Sequence, residues 1–237
     1  MKVSIVIPAH NEESVIADTL RAVLAQRHPN YEVIVVDNAS NDRTAEIASR
    51  FPVKVIRENR KGLLWARECG RQASTGEIIA NIDADCLPDP DWLERGINDL
   101  EASHVAAVTG PYDYYDAKPL FRNTSLAFQK YIYRAASHLV QMPFIKQGAM
   151  LIGGNNLIRS DVLKRAGGYN TDLTFYGEDS DTAKRVSAHG RIVFNPTLIM
   201  KTSARRFKAE GVLSVESKYI YHFFKHALSL SGRRRGR

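Results

Sequence analysis

The sequence has little cysteine and no long hydrophobic run. Its two cysteines, Cys69 and Cys86, are too few for a disulfide framework, and neither lies in a cluster with metal-ligand spacing. No apolar stretch reaches the roughly eighteen residues that a membrane-spanning helix needs. The apolar run 3–7 stops at Pro8 and is too brief for the hydrophobic region of a signal peptide, so we interpret it as a first strand. We therefore expect a reducing, cytoplasmic setting.

Two phosphate-binding loops are also absent from the sequence. No G-x-G-x-x-G motif follows the first predicted strand, and no G-x-x-x-x-G-K-[ST] motif occurs anywhere. This excludes the dinucleotide-binding fingerprint and the P-loop. If the protein binds phosphates, a cation must hold them.

Positive charge is confined to the C-terminal segment. The 237-residue chain carries 33 Lys and Arg against 26 Asp and Glu. Residues 201–237 hold ten of the basic side chains and only two of the acidic ones, so the first 200 residues have a net charge of −1. We interpret this as a near-neutral body with a cationic tail. The distribution argues against a uniformly basic nucleic-acid-binding protein.

The tail has three interpretations. Residues 212–230 mix cations with aromatic and aliphatic side chains, as interfacial helices do. This favours attachment to an anionic membrane surface, at the inner face of the cell membrane. A helix packed on the body with a solvated basic end is equally compatible. Nucleic-acid binding is the weakest interpretation because no recognition motif accompanies the charge.

The first 100 residues alternate between predicted strands and helices. Short Val- and Ile-rich runs predict buried strands at 3–7, 32–36, 53–56 and 78–82. Helical spacing predicts helices at 11–26, 43–50 and 63–73, with further helices at about 120–139 and 179–189. This alternation predicts parallel βαβ units and an open α/β sheet. Ligands of such sheets bind at the carboxyl ends of the strands, here at Pro8, Asp37, Glu58 and Asp83.

Two predicted strand-to-helix turns, 8–13 and 37–44, carry several polar side chains. The βαβ unit places them side by side. Asn11 and Asp42 are residue types favoured as helix N-caps, a role that needs no ligand. Alternatively, the Asp37 carboxylate at the end of its strand accepts a base N–H or a ribose hydroxyl, and the two turns form a nucleotide pocket.

Asp83-Ala84-Asp85 follows the predicted strand 78–82. Side chains two residues apart on an extended segment point to one face, so both carboxylates can converge on one hard divalent ion. A metal so held would bridge a diphosphate. The same three-residue pattern also occurs by chance.

A second acidic group, Glu178, Asp179 and Asp181, opens the predicted helix 179–189. The helix dipole stabilises acidic residues in a first turn without any catalytic task. Alternatively, a carboxylate across a cleft from the metal takes a proton from an attacking hydroxyl. The loop upstream offers a tight turn and two amides, which suit sugar hydroxyls or an ordinary loop: Gly154, Asn155 and Asn156.

The order of these motifs resembles that of the family 2 glycosyltransferases, which have the GT-A fold. The resemblance covers roughly residues 3–196 and rests on seven segments, at 5–12, 36–42, 59–62 with Ala66 and Arg67, 83–85, 153–155, 167–169 and 177–181. It implies one α/β domain with a mostly parallel central sheet flanked by helices. We expect residues 1–200 to form this domain, with a nucleotide-sugar-binding half at about 1–100 and an acceptor-binding half at about 101–200. Residues 201–237 would be the basic tail.

The resemblance also implies roles for individual residues. Asp85 would bind Mg²⁺ or Mn²⁺, and Asp179 would be the general base, assisted by Glu178. The acceptor, a glycan or a lipid-linked molecule, would meet Gly154, Asn155 and Asn156. The nucleotide-sugar donor, expected to be a UDP-sugar, would contact Pro8, Ala9, Glu12, Asp37, Arg67 and Asp83. For Arg67, a surface helix arginine is the alternative.

The implied reaction is displacement at the anomeric carbon with inversion of configuration, in the setting of cell-envelope polysaccharide synthesis. A nucleotidyltransferase is one alternative, although it would need the phosphate-cradling loop that is missing. A binding protein of the same fold without turnover is the other.

Two departures from the family pattern limit the comparison. No QxxRW motif of processive members follows the acidic group, which favours one sugar per encounter. The region 201–207, where some GT-A enzymes carry a histidine that ligates the metal, contains none. Arg205 and Arg206 in that region could instead hold the donor diphosphate. We interpret the later His222 and His226 as residues on the polar face of a helix.

Overall fold

A computed structural model describes residues 1–140, 150–173 and 177–211 of the chain. The predicted tail helix at 212–230, with His222 and His226, and the arginine cluster that follows lie outside the described residues.

The secondary structure alternates between strands and helices over most of this length. The strands are β1 (Val3–Ala9), β2 (Tyr31–Asp37), β3 (Lys54–Arg57), β4 (Ile78–Ile82), β5 (Leu87–Pro88), β6 (Val105–Thr109), β7 (Tyr112–Tyr114), β8 (Asn155–Arg159), β9 (Arg191–Phe194) and β10 (Met200–Thr202). The helices are α1 (Ile16–Leu24), α2 (Thr44–Ala48), α3 (Leu63–Ala73), α4 (Trp92–Leu100), α5 (Pro119–Phe128), α6 (Arg134–Val140), α7 (Ser160–Arg165), α8 (Glu178–Ser187) and α9 (Arg205–Glu210). A π-helical turn, Gln129–Tyr133, joins α5 to α6.

Seven strands form the central sheet in the order β3-β2-β1-β4-β8-β6-β9. Neighbouring strands are parallel except at β8, which is antiparallel to both β4 and β6. This confirms the predicted mostly parallel sheet. The order β3-β2-β1-β4 is that of a nucleotide-binding half, in which ligands bind beyond the carboxyl ends of the strands.

Both faces of the sheet are covered, which explains the continuous Val and Ile runs in its strands. Ile5 and Ile7 of β1 pack in a core that includes Leu20 of α1 and Trp92 of α4. Val6 points to the opposite face, into a second core with Leu64 of α3. Alternate side chains of one strand therefore pack into two separate cores, one on each face of the sheet.

The first predicted helix is shorter than expected. It begins at Ile16 rather than near residue 11, because Asn11 adopts a φ of 56° that is incompatible with a right-handed helix. The backbone N–H groups that follow are bound by the neighbouring turn. Glu12 N donates to Thr44 Oγ1 at 2.7 Å, and Glu13 N donates to Asp42 Oδ2 at 3.1 Å.

A small second sheet, in the order β5-β10-β7, was not predicted from the sequence. Its strands have two or three residues each, too few for a periodic pattern. The predicted boundary between body and tail at residue 200 falls inside β10. Tyr112 of β7 and Thr202 of β10 line the cleft described below.

No helix in the described ranges is both long enough and apolar enough to cross a bilayer.

Candidate active site

A cleft of about 900 Å³ opens at the carboxyl ends of β1 and β4. Its walls come from the turns after these strands, from α3 and α8, and from the segment that runs from α5 to α6. Most of the predicted site residues line this one cleft: Pro8, Ala9, Glu12, Arg67, Asp83, Asp85, Gly154, Glu178 and Asp179. The two acidic groups therefore share a cavity, as an enzyme that uses both requires.

Arg67 links the two acidic groups. Its side chain on α3 is only 4% exposed, so the alternative of a surface arginine is wrong. Nη2 lies 3.4 Å from Asp83 Oδ1, and Nη1 lies 3.2 Å from Asp179 Oδ1. Although burial disfavours the charged guanidinium, Asp179 and Asp83 hold the pKa of Arg67 above its usual value. Its Nε has no hydrogen-bond partner among the described residues.

The Asp179 carboxylate is held from two sides at the start of α8. Oδ1 accepts from Arg67, and Oδ2 accepts from the backbone N–H of Gly153 at 3.0 Å. Burial raises the pKa of Asp179, while Arg67 opposes this shift. Burial and the adjacent Asp179 also raise the pKa of Glu178. A carboxylate with a raised pKa, fixed beside a cavity, has the properties of a general base.

Asp83 is oriented by Tyr112, a residue that the sequence analysis missed. The Tyr112 hydroxyl donates to Asp83 Oδ2 at 3.1 Å and accepts from the backbone N–H of Gly154 at 2.9 Å. A Cβ atom on Gly154 would lie 2.2 Å from Asp83 Oδ2, so only glycine fits beside this carboxylate. No local pattern marks Tyr112, because its partner lies 29 residues earlier.

Asp85 faces a cation that the chain itself supplies. Arg205 of α9 forms a bidentate pair with Glu12, and its Nε lies 3.3 Å from Asp85 Oδ2. Thr202 Oγ1 donates to Asp85 Oδ1 at 3.3 Å. Burial and then the Asp83 charge raise the pKa of Asp85 to about 6, while Arg205 and Thr202 oppose this shift. The positive charge of Arg205 thus already lies next to the Asp85 carboxylate.

The residues around Asp85 fit a divalent cation that is shared with a ligand. The described residues contain no group of three or more His, Cys, Asp or Glu side chains able to surround a metal. Mg²⁺ characteristically takes one or two carboxylates and completes its shell with water and substrate phosphates. Asp85, with Asp83 nearby, supplies that smaller set.

Helix α9 is fixed over the cleft by an aromatic cluster. The Phe207 ring lies 5.0 Å from Tyr114 and 5.3 Å from Phe121, both centroid to centroid and edge to face. Asp116 accepts from the backbone N–H of Ala204 at 2.6 Å, directly before the helix. These contacts explain how a residue near 205 reaches Glu12, at the other end of the described chain.

The two polar turns predicted to lie side by side are cross-linked. Asn11 Oδ1 accepts from the backbone N–H of Asn41 at 2.8 Å, and Asp42 accepts from Glu13 N and Thr44 N. Neither α1 nor α2 has a side-chain N-cap hydrogen bond. Asn11 therefore ties the two turns together, while Asp42 both joins them and holds the backbone N–H of Thr44, the first residue of α2.

Asp37 lies beside the cleft but does not line it. Its side chain is buried, and Oδ1 accepts from the backbone N–H of Ser40 at 3.3 Å. The next residue, Asn38, does line the cleft and holds the loop 58–62 through Glu58, Arg60 and Gly62. This loop forms the rim beside the first turn.

The amides of Asn155 and Asn156 are not available to an acceptor, which corrects the sequence-based expectation. Asn155 accepts from Trp92 Nε1 and donates to the carbonyl groups of Pro111 and Leu198. Asn156 accepts from Asn81 and donates to the backbone of the glycine turn. Both side chains are buried and hold β8 in place. Of the three residues predicted to contact the acceptor, only Gly154 lines the cleft.

Comparison with known proteins gives one consistent result. The family model for glycosyl transferase family 2 matches residues 4–167. Glycosyltransferase AglE of Haloferax volcanii is 30% identical over 213 residues, which cover 86% of this chain and 68% of AglE. The probable glycosyltransferase YdaM of Bacillus subtilis is 31% identical over 94% of this chain, but the match spans only 58% of YdaM.

Solved structures show the same fold. The mannosyltransferase PcManGT from Pyrobaculum calidifontis, in complex with GDP-Man and Mn²⁺, superposes with a TM-score of 0.67 at 24% identity, over 93% of this chain and 64% of that one. Glucosyl-3-phosphoglycerate synthase from Mycobacterium tuberculosis, with Mn²⁺, UDP-glucose and phosphoglyceric acid, gives a TM-score of 0.61 at 20% identity, over 98% and 81% of the two chains. These likenesses confirm the expected GT-A fold.

Proposed function

Because the chain belongs to glycosyl transferase family 2, we propose that it transfers one sugar per encounter from a nucleotide-sugar donor to an acceptor hydroxyl, with inversion at the anomeric carbon. The observation that carries this proposal is Arg67, which joins Asp83 and Asp179 within one cleft. Without that juxtaposition, the two acidic groups could not act on a common substrate.

The donor side of the cleft is the edge formed by β1 and β4. Pro8 and Ala9 at the end of β1 form a surface for the nucleoside, and Asn38 orders the loop beside it. The Arg67 guanidinium also lines the cleft, between Asp83 and Asp179. Arg205, already paired with Glu12, stands where its guanidinium can meet a diphosphate.

Asp179 is the proposed general base. Its carboxylate accepts the proton of the acceptor hydroxyl as the oxygen forms a bond to the anomeric carbon. The bond from that carbon to the nucleoside diphosphate breaks on the opposite side, and its electron pair leaves with the diphosphate. Arg67 and Gly153 N hold the carboxylate during this transfer, while the raised pKa makes it a better proton acceptor.

The proposed cofactor is Mg²⁺ or Mn²⁺, held by Asp85 with Asp83 adjacent. When bound, such an ion neutralises the charge that develops on the leaving diphosphate. PcManGT and the mycobacterial synthase were solved with Mn²⁺. Those two proteins carry GDP-Man and UDP-glucose respectively, so neighbours of this fold differ in the base of the donor. For this chain we propose a UDP-sugar.

The acceptor and the cellular setting remain predictions. We propose a glycan or a lipid-linked acceptor, and a cytoplasmic enzyme that acts at the inner face of the cell membrane in cell-envelope polysaccharide synthesis. The basic tail predicted to meet an anionic membrane surface lies outside the described residues. The chain spans only part of the relatives it matches, so these statements concern this chain alone.

A thermal-shift panel tests donor and metal together. We expect one nucleoside diphosphate to raise the melting temperature in the presence of Mn²⁺ more than in its absence, since a ligand of the native state stabilises it. Asp85→Asn should abolish the Mn²⁺-dependent part of the rise in melting temperature. It should also abolish the metal-dependent hydrolysis of the donor. Asp89→Asn is the matched control, because Asp89 pairs with Lys201 and does not line the cleft.

Two outcomes would reject the proposal. Equal metal-dependent hydrolysis in Asp85→Asn and wild type would remove Asp85 from the site. Tight nucleotide binding with no turnover on any sugar nucleotide would favour the alternative of a binding protein.

A further inference from the structure

Exposed hydrophobic side chains are concentrated on one segment of the described structure. Of the five large hydrophobic residues that are exposed there, four lie between residues 120 and 132, and the fifth is Met1. Leu120 is 78% exposed and Tyr131 is 75% exposed, while Phe128 and Ile132 are about half exposed. We call these four residues and the helix that carries them the α5–α6 surface. Contiguous exposed apolar side chains of this kind mark an interaction site.

All four residues lie on one continuous helical segment. Leu120 is in the first turn of α5, Phe128 ends α5, and Tyr131 and Ile132 lie in the π-helical turn that follows. Other side chains of this segment are fastened to the body. Phe121 joins the aromatic cluster with Phe207, and the buried Gln129 side chain binds both the N–H and the C=O of Tyr112. The apolar side chains are thus presented on a fixed support.

The charges on this segment are all positive. Residues 117–160 contain no Asp or Glu. Arg122 is used internally, in a pair with Asp113. Lys118, Lys130 and Arg134 pair with no carboxylate in the described part of the chain, and Lys118 and Arg134 are exposed. Cations beside exposed aromatic and aliphatic side chains are the composition of a helix that lies in a membrane interface.

Charge decides among the candidate occupants. The undescribed tail 212–237 carries six Lys and Arg against one Glu, so it would meet the α5–α6 surface with charge of the same sign. A symmetric dimer that packs two copies of this surface together would meet the same repulsion. An anionic lipid headgroup layer offers the opposite charge, together with an acyl region for Leu120 and Tyr131.

We propose that the α5–α6 surface binds the interface of an anionic lipid bilayer. The surface continues into the cleft, because Phe128 and Ile132 also line it. The cleft mouth would then open at the level of the headgroups. A cleft that opens at the membrane favours a lipid-linked acceptor over a soluble glycan. This inference about the acceptor rests on the proposed transferase function.

Vesicle flotation of the full chain, without donor or acceptor, tests the proposal. Vesicles of phosphatidylcholine with about one third phosphatidylglycerol are compared with pure phosphatidylcholine. We expect wild type to bind the anionic vesicles, and Leu120→Ser/Tyr131→Ser to lower the partition coefficient about tenfold. Lys118→Glu/Arg134→Glu should lower it by a similar factor. Neither Leu120 nor Tyr131 lines the cleft, so donor hydrolysis in solution should be unchanged in the first variant.

Controls separate this surface from the tail and from general charge. Arg27→Glu/Lys164→Glu makes the same change of charge on exposed side chains elsewhere in the chain and should bind like wild type. Replacing the four arginines at 233, 234, 235 and 237 by glutamine tests the tail. Unchanged binding by both α5–α6 variants, or no binding by wild type, overturns the proposal. Loss of binding only in the tail variant would assign the contact to the tail. Failure of donor hydrolysis in every variant and in wild type would reject the transferase function instead.

Discussion

The guanidinium of Arg67 lies 3.2 Å from the carboxylate of Asp179, which is 112 residues farther along the chain. The other terminal nitrogen of Arg67 faces Asp83 at 3.4 Å. One buried cation therefore sets the distance between the carboxylate expected to bind the donor and the carboxylate expected to accept a proton.

Replacement of Arg67 by methionine should impair both stability and turnover. The change keeps most of the side-chain volume but leaves Asp83 and Asp179 without their shared partner, which we expect to cost about 3 kcal/mol of unfolding free energy. Turnover should fall about a hundredfold as the two carboxylates separate. Urea unfolding and donor hydrolysis measure the two effects. Arg71→Met is the control, since Arg71 pairs with Glu68 on the same helix but does not line the cleft. Near-normal turnover in Arg67→Met would contradict the assignment.

Asp179→Asn should separate binding from chemistry. The amide keeps the shape of the carboxylate but cannot accept the proton of the acceptor, so we expect turnover to fall between about 10²- and 10⁴-fold. Donor affinity should change little, which calorimetric titration with the nucleoside diphosphate can show. Asp181→Asn is the matched control, because Asp181 pairs with Arg185 outside the cleft. Unchanged turnover in Asp179→Asn would remove it as the base.

Arg205→Gln should strengthen the binding of Mn²⁺ in the absence of nucleotide. The guanidinium now faces Asp85 and Glu12, so a metal ion must compete with it for the Asp85 carboxylate. Removing that positive charge should tighten Mn²⁺ binding about tenfold, or about 1.4 kcal/mol. Electron paramagnetic resonance of free Mn²⁺ measures the affinity directly. Arg43→Gln serves as control, because Arg43 pairs with Glu13, next to Glu12 but outside the cleft. Weaker binding in Arg205→Gln would argue against competition.

Glu58 should make stability depend on pH in the acid range. Hydrogen bonds from Arg60 lower the pKa of Glu58 to about 2, against about 4.3 for an unfolded chain. A depressed pKa stabilises the folded state above the unfolded value, and this contribution is lost as pH falls from about 4.3 to about 2. Glu58→Gln should therefore have a lower melting temperature than wild type at pH 7, and the difference should shrink below about pH 4.

The matched control for this prediction is Glu46→Gln, which breaks an exposed pair between Glu46 of α2 and Arg50. Its melting temperature should stay near that of wild type at every pH. A difference between Glu58→Gln and wild type that persists unchanged at pH 2 would show that the carboxylate charge is not responsible.

Much of the site could be predicted because its residues follow strands. The Val and Ile runs at β1, β2 and β4 are buried on both faces, so the strands could be predicted without any knowledge of their neighbours. Parallel strands end at one edge, and this rule brought Pro8, Asp83 and Asp85 together. The same rule predicted that Asp37 contacts the donor, but its carboxylate accepts a hydrogen bond from its own loop.

Other features had no local signal. Tyr112 and Thr202 lie on strands of three residues, too short to show a period. The amides of Asn155 and Asn156 looked available for ligands, but Trp92 and Asn81 occupy them from distant parts of the chain. Whether a polar side chain serves a ligand or the fold depends on partners that the sequence does not place.

The sequence by itself determined four of the seven strands of the central sheet, the family and the chemical types at the cleft, because local patterns of hydrophobicity mark buried strands. Only the tertiary structure decided which charges meet. Arg67 is buried between two carboxylates, and the guanidinium of Arg205 lies against the carboxylate of Asp85. These contacts join residues that are farther apart in sequence than any local helical or strand period. Coulombic and hydrogen-bonding contacts of this kind act over a few ångströms, so they are specified by the packing that brings distant segments together.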